Sequence, residues 1–164
     1  MHADRHTYRW VYTMFWTLTH NFYMEYQLDI QGYYRDESRK DFPNVSGIYF
    51  VYRGVLIPHL KTVTLTELIY IGESEDINKR LQNHEKRNDF FSLLQRDEEL
   101  FYSFAVTDDL SNSKRERLET ALIYELKPTL NIKSSGSFGY GKITINVLGD
   151  RHAYIPNKLI APSY

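Results

Sequence analysis

From residue 22 the apolar side chains alternate with polar ones as Phe22, Met24, Tyr26, Leu28 and Ile30. That period of two predicts a half-buried strand, and Gly32 marks its end. The charged stretch 35–44, with Pro43 inside it, breaks the pattern and reads as a surface loop. Apolar runs over 45–52 and 65–71, the second closing at Gly72, predict two more strands paired antiparallel across a connection that contains Pro58. At Ser74 the period becomes helical, because Ile77, Arg80, Leu81, His84 and Asn88 recur at spacings of three and four. Ser74 is the expected N-cap, with Glu75 and Asp76 in the first turn. Arg80 and His84 then share one face, beside the stripe of Ile77 and Leu81.

Residues 90–98 suggest a short second helix and 100–106 a strand that Asp108-Asp109 ends. Ser111 or Ser113 caps the next helix, whose core positions Leu118, Ala121, Leu122, Glu125 and Leu126 run up to Pro128, where a helix cannot continue. The Gly/Ser-rich stretch 134–141 is expected to be a mobile loop, followed by a last strand over 142–148. No internal repeat, heptad seam, Walker motif or dinucleotide motif is present. The order fits one domain: a 1–44 extension with a strand, a 45–131 core, and a 132–164 loop and strand.

Composition narrows the class. With 42% apolar and 15% aromatic residues among 164, the chain is neither disordered nor collagen-like. The absence of cysteine removes disulfides, thiolate nucleophiles and Cys-based zinc sites, and points to a reducing, cytoplasmic location. The aromatic run 10–18 is about half the ~20 residues of a spanning helix. It is read as packing or interface surface, with no membrane association. Net charge is −1, but residues 1–110 carry −5 and residues 111–164 carry +4. The C-terminal third can therefore meet a polyanion.

Candidate chemistry comes from polar groups at positions that favour apolar ones. Tyr49 and Tyr70 each lie in an apolar strand beside a glycine, in Gly47-Ile48-Tyr49 and Tyr70-Ile71-Gly72; a glycine there lets a backbone or ligand approach closely. Arg80 interrupts the helix stripe next to His84, and Glu119 sits between Leu118 and Ala121. Singly these read as sheet tyrosines, a snorkelling arginine, a surface histidine and a solvated glutamate. Lys79, Lys86 and Arg87 on the first helix, and Lys114, Arg115 and Arg117 on the last, are candidate phosphate contacts.

In order, Gly47-Ile48-Tyr49, Tyr70-Ile71-Gly72, Asp76-Ile77-Asn78-Lys79-Arg80-Leu81 with His84, and Glu119-Thr120-Ala121-Leu122-Ile123 through Pro128 to Asn131 resemble the GIY-YIG nuclease family over residues 47–131. The resemblance implies an α/β domain of the α+β type, with a small central antiparallel sheet flanked by helices. It implies a DNA endonuclease that uses one divalent metal ion, Mg²⁺ or Mn²⁺. Tyr49 would be the general base, Tyr70 would support the water or phosphate, Arg80 would stabilise the scissile phosphate, and Glu119 would hold the metal. His84 would accept or relay the proton, and Asn131 joins the DNA-binding set.

The chain departs from the family pattern in three ways. Twenty residues separate Tyr49 from Tyr70, so the hairpin should carry an insertion around 54–64. Glu73 follows Tyr-Ile-Gly where cleaving relatives place a lysine or another uncharged or basic residue. No separate DNA-reading domain is recognisable. A stand-alone restriction-type enzyme is the first expectation, a mobile-element or repair nuclease the next. Double-strand cleavage needs two active sites, so a homodimer through the aromatic N-terminal run is expected. The competing readings are a nucleic-acid-binding module of the same fold that has lost efficient chemistry, motivated by Glu73, and a structural domain with coincidental motifs.

Overall fold

The computed structural model describes residues 23–134 and 138–162. The run 10–18 lies outside the described residues, as do positions 135–137 of the expected loop. Six strands form one sheet in the order β3-β2-β4-β1-β5-β6. They are β1 (Met24–Arg35), β2 (Gly47–Ile57), β3 (Thr62–Ser74), β4 (Glu99–Val106), β5 (Ile143–Gly149) and β6 (Lys158–Ala161). The helices are α1 (Ile77–Gln82), α2 (Arg87–Ser92) and α3 (Asn112–Leu126), with short 3₁₀ segments at Asp36–Asp41, Pro58–Leu60 and Thr129–Ser134. Among the described residues no helix is long and apolar enough to cross a membrane.

The fold is a mixed α and β domain whose sheet is covered on both faces. On one face Ile48, Phe50 and Tyr52 of β2 meet Leu118, Ala121 and Leu122 of α3. On the other, Tyr49 and Val51 meet Ile77 and Leu81 of α1 and Phe90 of α2. Because β2 is buried on both sides, its sequence is a continuous apolar run rather than an alternation. β1 keeps the expected alternation, with Tyr26, Leu28 and Ile30 buried.

The sheet is not wholly antiparallel as expected, because β1 and β5 pair in parallel, Met24 beside Ile143 through Ile30 beside Gly149. The connection through α3 delivers the chain to the end of the sheet where β1 begins, and Met24 N–H donates to Lys142 C=O at 3.0 Å. β6 then pairs antiparallel on β5. Its four residues, with Ile160 exposed, are too few to register as a period in the sequence.

Three boundaries also move. The insertion at 54–64 is paired hairpin: β2 continues to Ile57 and β3 starts at Thr62, around a turn that puts Lys61 at φ 49°. The first helix is capped by Asp76, not Ser74. The Asp76 side chain accepts from Lys79 N–H, whereas the Ser74 hydroxyl accepts from Asp76 N–H. The charged stretch after β1 is a 3₁₀ helix rather than an irregular loop, pinned where Asp36 pairs with Arg39 and Arg87.

Both motif glycines have a packing reason. A Cβ on Gly47 would strike the Ala105 carbonyl, and one on Gly72 would strike the ring and hydroxyl of Tyr49. Tyr49 and Gly72 are direct cross-strand partners, so the missing side chain is the space through which the Tyr49 ring crosses β3. Gly72→Ala is expected to lower stability in urea by about 3 kcal/mol, since the collision is with a buried ring.

Candidate active site

Tyr49 is fully buried, yet its hydroxyl is the meeting point of two side chains from after β3. His84 Nε2 lies 2.8 Å from it, and Arg80 Nε donates to it at 3.3 Å. His84 is 6% exposed, although α1 ends at Gln82 and the expected single helical face does not reach it. A turn does the work instead: Arg87 N–H donates to the His84 carbonyl at 3.1 Å, and Lys86 N–H donates to His84 Nδ1 at 3.1 Å.

That last contact assigns the tautomer. With Nδ1 accepting, the proton of a neutral imidazole sits on Nε2, so His84 donates to Tyr49. Burial, and after it the Arg80 charge, push the His84 pKa down to about 4, so the ring is neutral through the physiological range. The expected role as proton acceptor does not follow from this geometry. His84 and Arg80 are two donors aimed at one phenolic oxygen. Burial raises the Tyr49 pKa above the usual tyrosine range, and the two donors act against that rise by favouring the phenolate.

Tyr70 packs beside this centre, its ring centroid 6.1 Å from that of Tyr49 and 5.3 Å from that of His84. Burial and the nearby Glu119 raise its pKa. Tyr70, Lys86, Glu119, Thr120 and Asn131 line a pocket of about 250 Å³. Lys86 Nζ stands 5.6 Å over the Tyr70 ring, which puts a cation in the same pocket as the Glu119 carboxylate.

Glu119 reaches from α3 to the β3 edge, where Glu73 N–H donates to its Oε1 at 3.2 Å. Burial, and then the charge of Glu73, push its pKa up to about 7. The Glu73 carboxylate is itself held by Arg115 Nε at 3.2 Å. Arg115 was expected to face phosphate, but its side chain is 5% exposed, and its other nitrogens donate to the Leu110 carbonyl and to Asn112. The position after Tyr-Ile-Gly thus carries an internal ion pair instead of a free negative charge.

Asn131 was also expected at DNA. Its carboxamide instead pairs with the edge strand like an extra β residue: Ile71 N–H donates to Oδ1 at 2.8 Å, and Nδ2 donates to the Ile71 carbonyl at 2.9 Å. It seals β3 where the pocket opens. Of the remaining candidate cations, Lys79 and Lys114 are exposed. Arg87 is paired with Asp36 at 2.6 Å and stacked on Phe91, and Arg117 lies over the Tyr140 ring. Sequence reasoning missed two partners, Arg115 for Glu73 and Glu85 for Arg80. The second pair is five positions apart across a helix end, a spacing that carries no pattern.

Glu119 is the carboxylate suited to a divalent cation. Among the described residues no group of three or more His, Cys, Asp or Glu side chains clusters as a metal cage. This half-buried carboxylate faces the pocket, and a single carboxylate could hold a hard ion that keeps several waters. No family model matches this chain, and neither does any curated protein or solved structure.

Proposed function

We propose that this protein is a metal-dependent endonuclease of the GIY-YIG type that hydrolyses phosphodiester bonds in DNA. The observation that carries the reading is the Tyr49 hydroxyl held by Arg80 and His84, with Tyr70 and Glu119 beside it and all five residues supplied by the motif positions. In the phenolate form Tyr49 takes a proton from the attacking water, and Arg80 and His84 hold the phenolate by donating to it. Arg80 and Lys86 lower the cost of the negative charge that builds on the phosphoryl oxygens. The water oxygen bonds to phosphorus, one P–O ester bond breaks, and the departing oxygen takes up a proton from solvent. Glu119 would hold Mg²⁺ or Mn²⁺, whose chemistry is Lewis-acid stabilisation of phosphate charge.

Glu73 motivated the competing reading as a binding module without efficient chemistry. Its pairing with Arg115 supports the cutting reading over that one. Double-strand cutting asks for two copies of the site, so a homodimer belongs to the proposal. The test is incubation of the purified chain with supercoiled plasmid in Mg²⁺, Mn²⁺ or chelator. Nicked or linear product only with metal supports the reading. Intact plasmid in every lane with a retained mobility shift moves it to the binding module.

A further inference from the structure

The strongest contact at the site that no motif position announces joins Arg80 to Glu85. Arg80 Nη1 donates to Glu85 Oε2 at 2.6 Å and Nη2 to Oε1 at 2.7 Å, so the carboxylate covers both terminal nitrogens in a parallel fork. With Nε donating to Tyr49, all three guanidinium nitrogens are engaged. The fork that fits a carboxylate fits two phosphate oxygens equally well. A phosphodiester that approaches the Nη edge of Arg80 therefore meets Glu85 where its own oxygens would sit.

Glu85 is poorly placed to be a structural fixture. It lies in the turn between α1 and α2, its side chain is 57% exposed against 34% for Arg80, and among the described residues its carboxylate has no other side-chain hydrogen-bond partner. An ion pair this exposed contributes little to folding, so exchanging the carboxylate for a phosphate costs little. A second cavity of about 480 Å³, lined by Ser74, Glu75, Asp76, Lys79, Arg80 and Asn83, borders Arg80 and leaves room for an incoming group.

We infer that Glu85 is a stand-in for the substrate phosphate: it holds the Arg80 fork aligned while the site is free of nucleic acid, gives way to phosphodiester oxygens, and so sets the affinity of the site for phosphate. The nuclease reading above identifies the phosphate as that of a DNA backbone. The exchange at Arg80 stands on the geometry of the pair.

The experiment is a double-mutant cycle on the full chain, in which binding of a short duplex DNA is measured by fluorescence anisotropy at fixed salt in chelator. The four proteins are wild type, Glu85→Gln, Arg80→Met and the double variant. Glu85→Gln is expected to bind about fivefold more tightly than wild type, and the same substitution is expected to have almost no effect when Arg80 is Met. Weaker binding by Glu85→Gln would make Glu85 a required orienter and overturn the inference. An equal gain in both backgrounds would reduce it to long-range charge and overturn it as well. A second arm follows the Arg80 Nε–Hε NMR signal on addition of inorganic phosphate. A gain there without DNA binding by any of the four proteins supports the exchange and removes DNA as the source of the phosphate. No gain with either probe sinks the inference.

Discussion

Replacing Glu119 with glutamine is expected to abolish metal-dependent cleavage, by at least about 10³-fold in rate, while making the protein more stable above neutral pH. The two effects have one cause. Glu119 is half-buried beside Glu73, which raises its pKa in the folded state to about 7 from the ordinary glutamate value of 4.5. A carboxyl group raised on folding contributes stability that is fully present below its unfolded pKa and is lost as pH rises through the folded one. Above about pH 7 the folded protein therefore holds an ionised, poorly solvated carboxylate, which a divalent cation would offset and a glutamine would not have. The gain in Glu119→Gln should be on the order of 2 kcal/mol in urea denaturation at pH 8.

The pH dependence makes this prediction sharper. His84 has the opposite linkage, its pKa lowered on folding from 6.5 to about 4, so its contribution is present above pH 6.5 and is lost as pH falls toward 4. Between about pH 4.5 and 6.5 the folded wild type keeps a proton on Glu119 and none on His84, whereas the unfolded chain does the reverse. The proton counts match, and wild-type stability should be nearly flat there as far as these two groups go. Glu119→Gln removes one side of that balance, so stability should climb with pH from about 4 to 6.5 and then level off. A variant that loses cleavage and shows the same flat profile as wild type would place the raised pKa elsewhere. Mn²⁺ binding, followed by paramagnetic relaxation, should strengthen with pH in the wild type up to about 7 and be lost in the variant.

The elements that carry the site were legible in the sequence because their signals are local. The alternation through Tyr26, Leu28 and Ile30, the two glycine-flanked strands and the core spacing of Leu118, Ala121 and Leu122 each reflect a face that must be buried. What was not legible depends on contacts across the chain. The parallel pairing of β1 with β5 joins segments more than a hundred residues apart, and no residue pattern in β5 distinguishes the two orientations. The helix start moved from Ser74 to Asp76 because both residues are good caps and only the backbone geometry chooses between them. Arg115 and Asn131 read as surface polar groups because composition does not reveal an internal partner. Their partners, Glu73 and the Ile71 backbone, lie 42 and 60 positions away. Arg80, His84 and Glu119 were singled out by their motif order, whereas the tautomer of His84 came from the Lys86 backbone contact alone.

That contact makes Tyr49 the position where the second large effect is expected. Tyr49→Phe should lower the cleavage rate by about 10²- to 10⁴-fold, the span of a lost general base, with DNA affinity in chelator unchanged because the proposed phosphate contacts are those of Arg80 and Lys86. The variant also strands two donors, His84 Nε2 and Arg80 Nε. Because His84 is nine-tenths buried, leaving its N–H without an acceptor should cost about 2 kcal/mol, and a thermal melt would show the loss. A stability loss by itself does not separate chemistry from packing, so the companion variant is His84→Gln, whose side-chain amide can donate at about the same reach. If His84 serves Tyr49 by donating to the phenolate, His84→Gln keeps a much larger fraction of the rate than Tyr49→Phe does, and the pH profile of the His84→Gln variant retains its shape. If His84 instead received the proton from Tyr49, glutamine would be as inactive as phenylalanine is at position 49, and the tautomer that the Lys86 N–H imposes would have to reverse during turnover. The ratio of those two rates, measured on one plasmid substrate at saturating Mg²⁺, decides which way the proton between Tyr49 and His84 points.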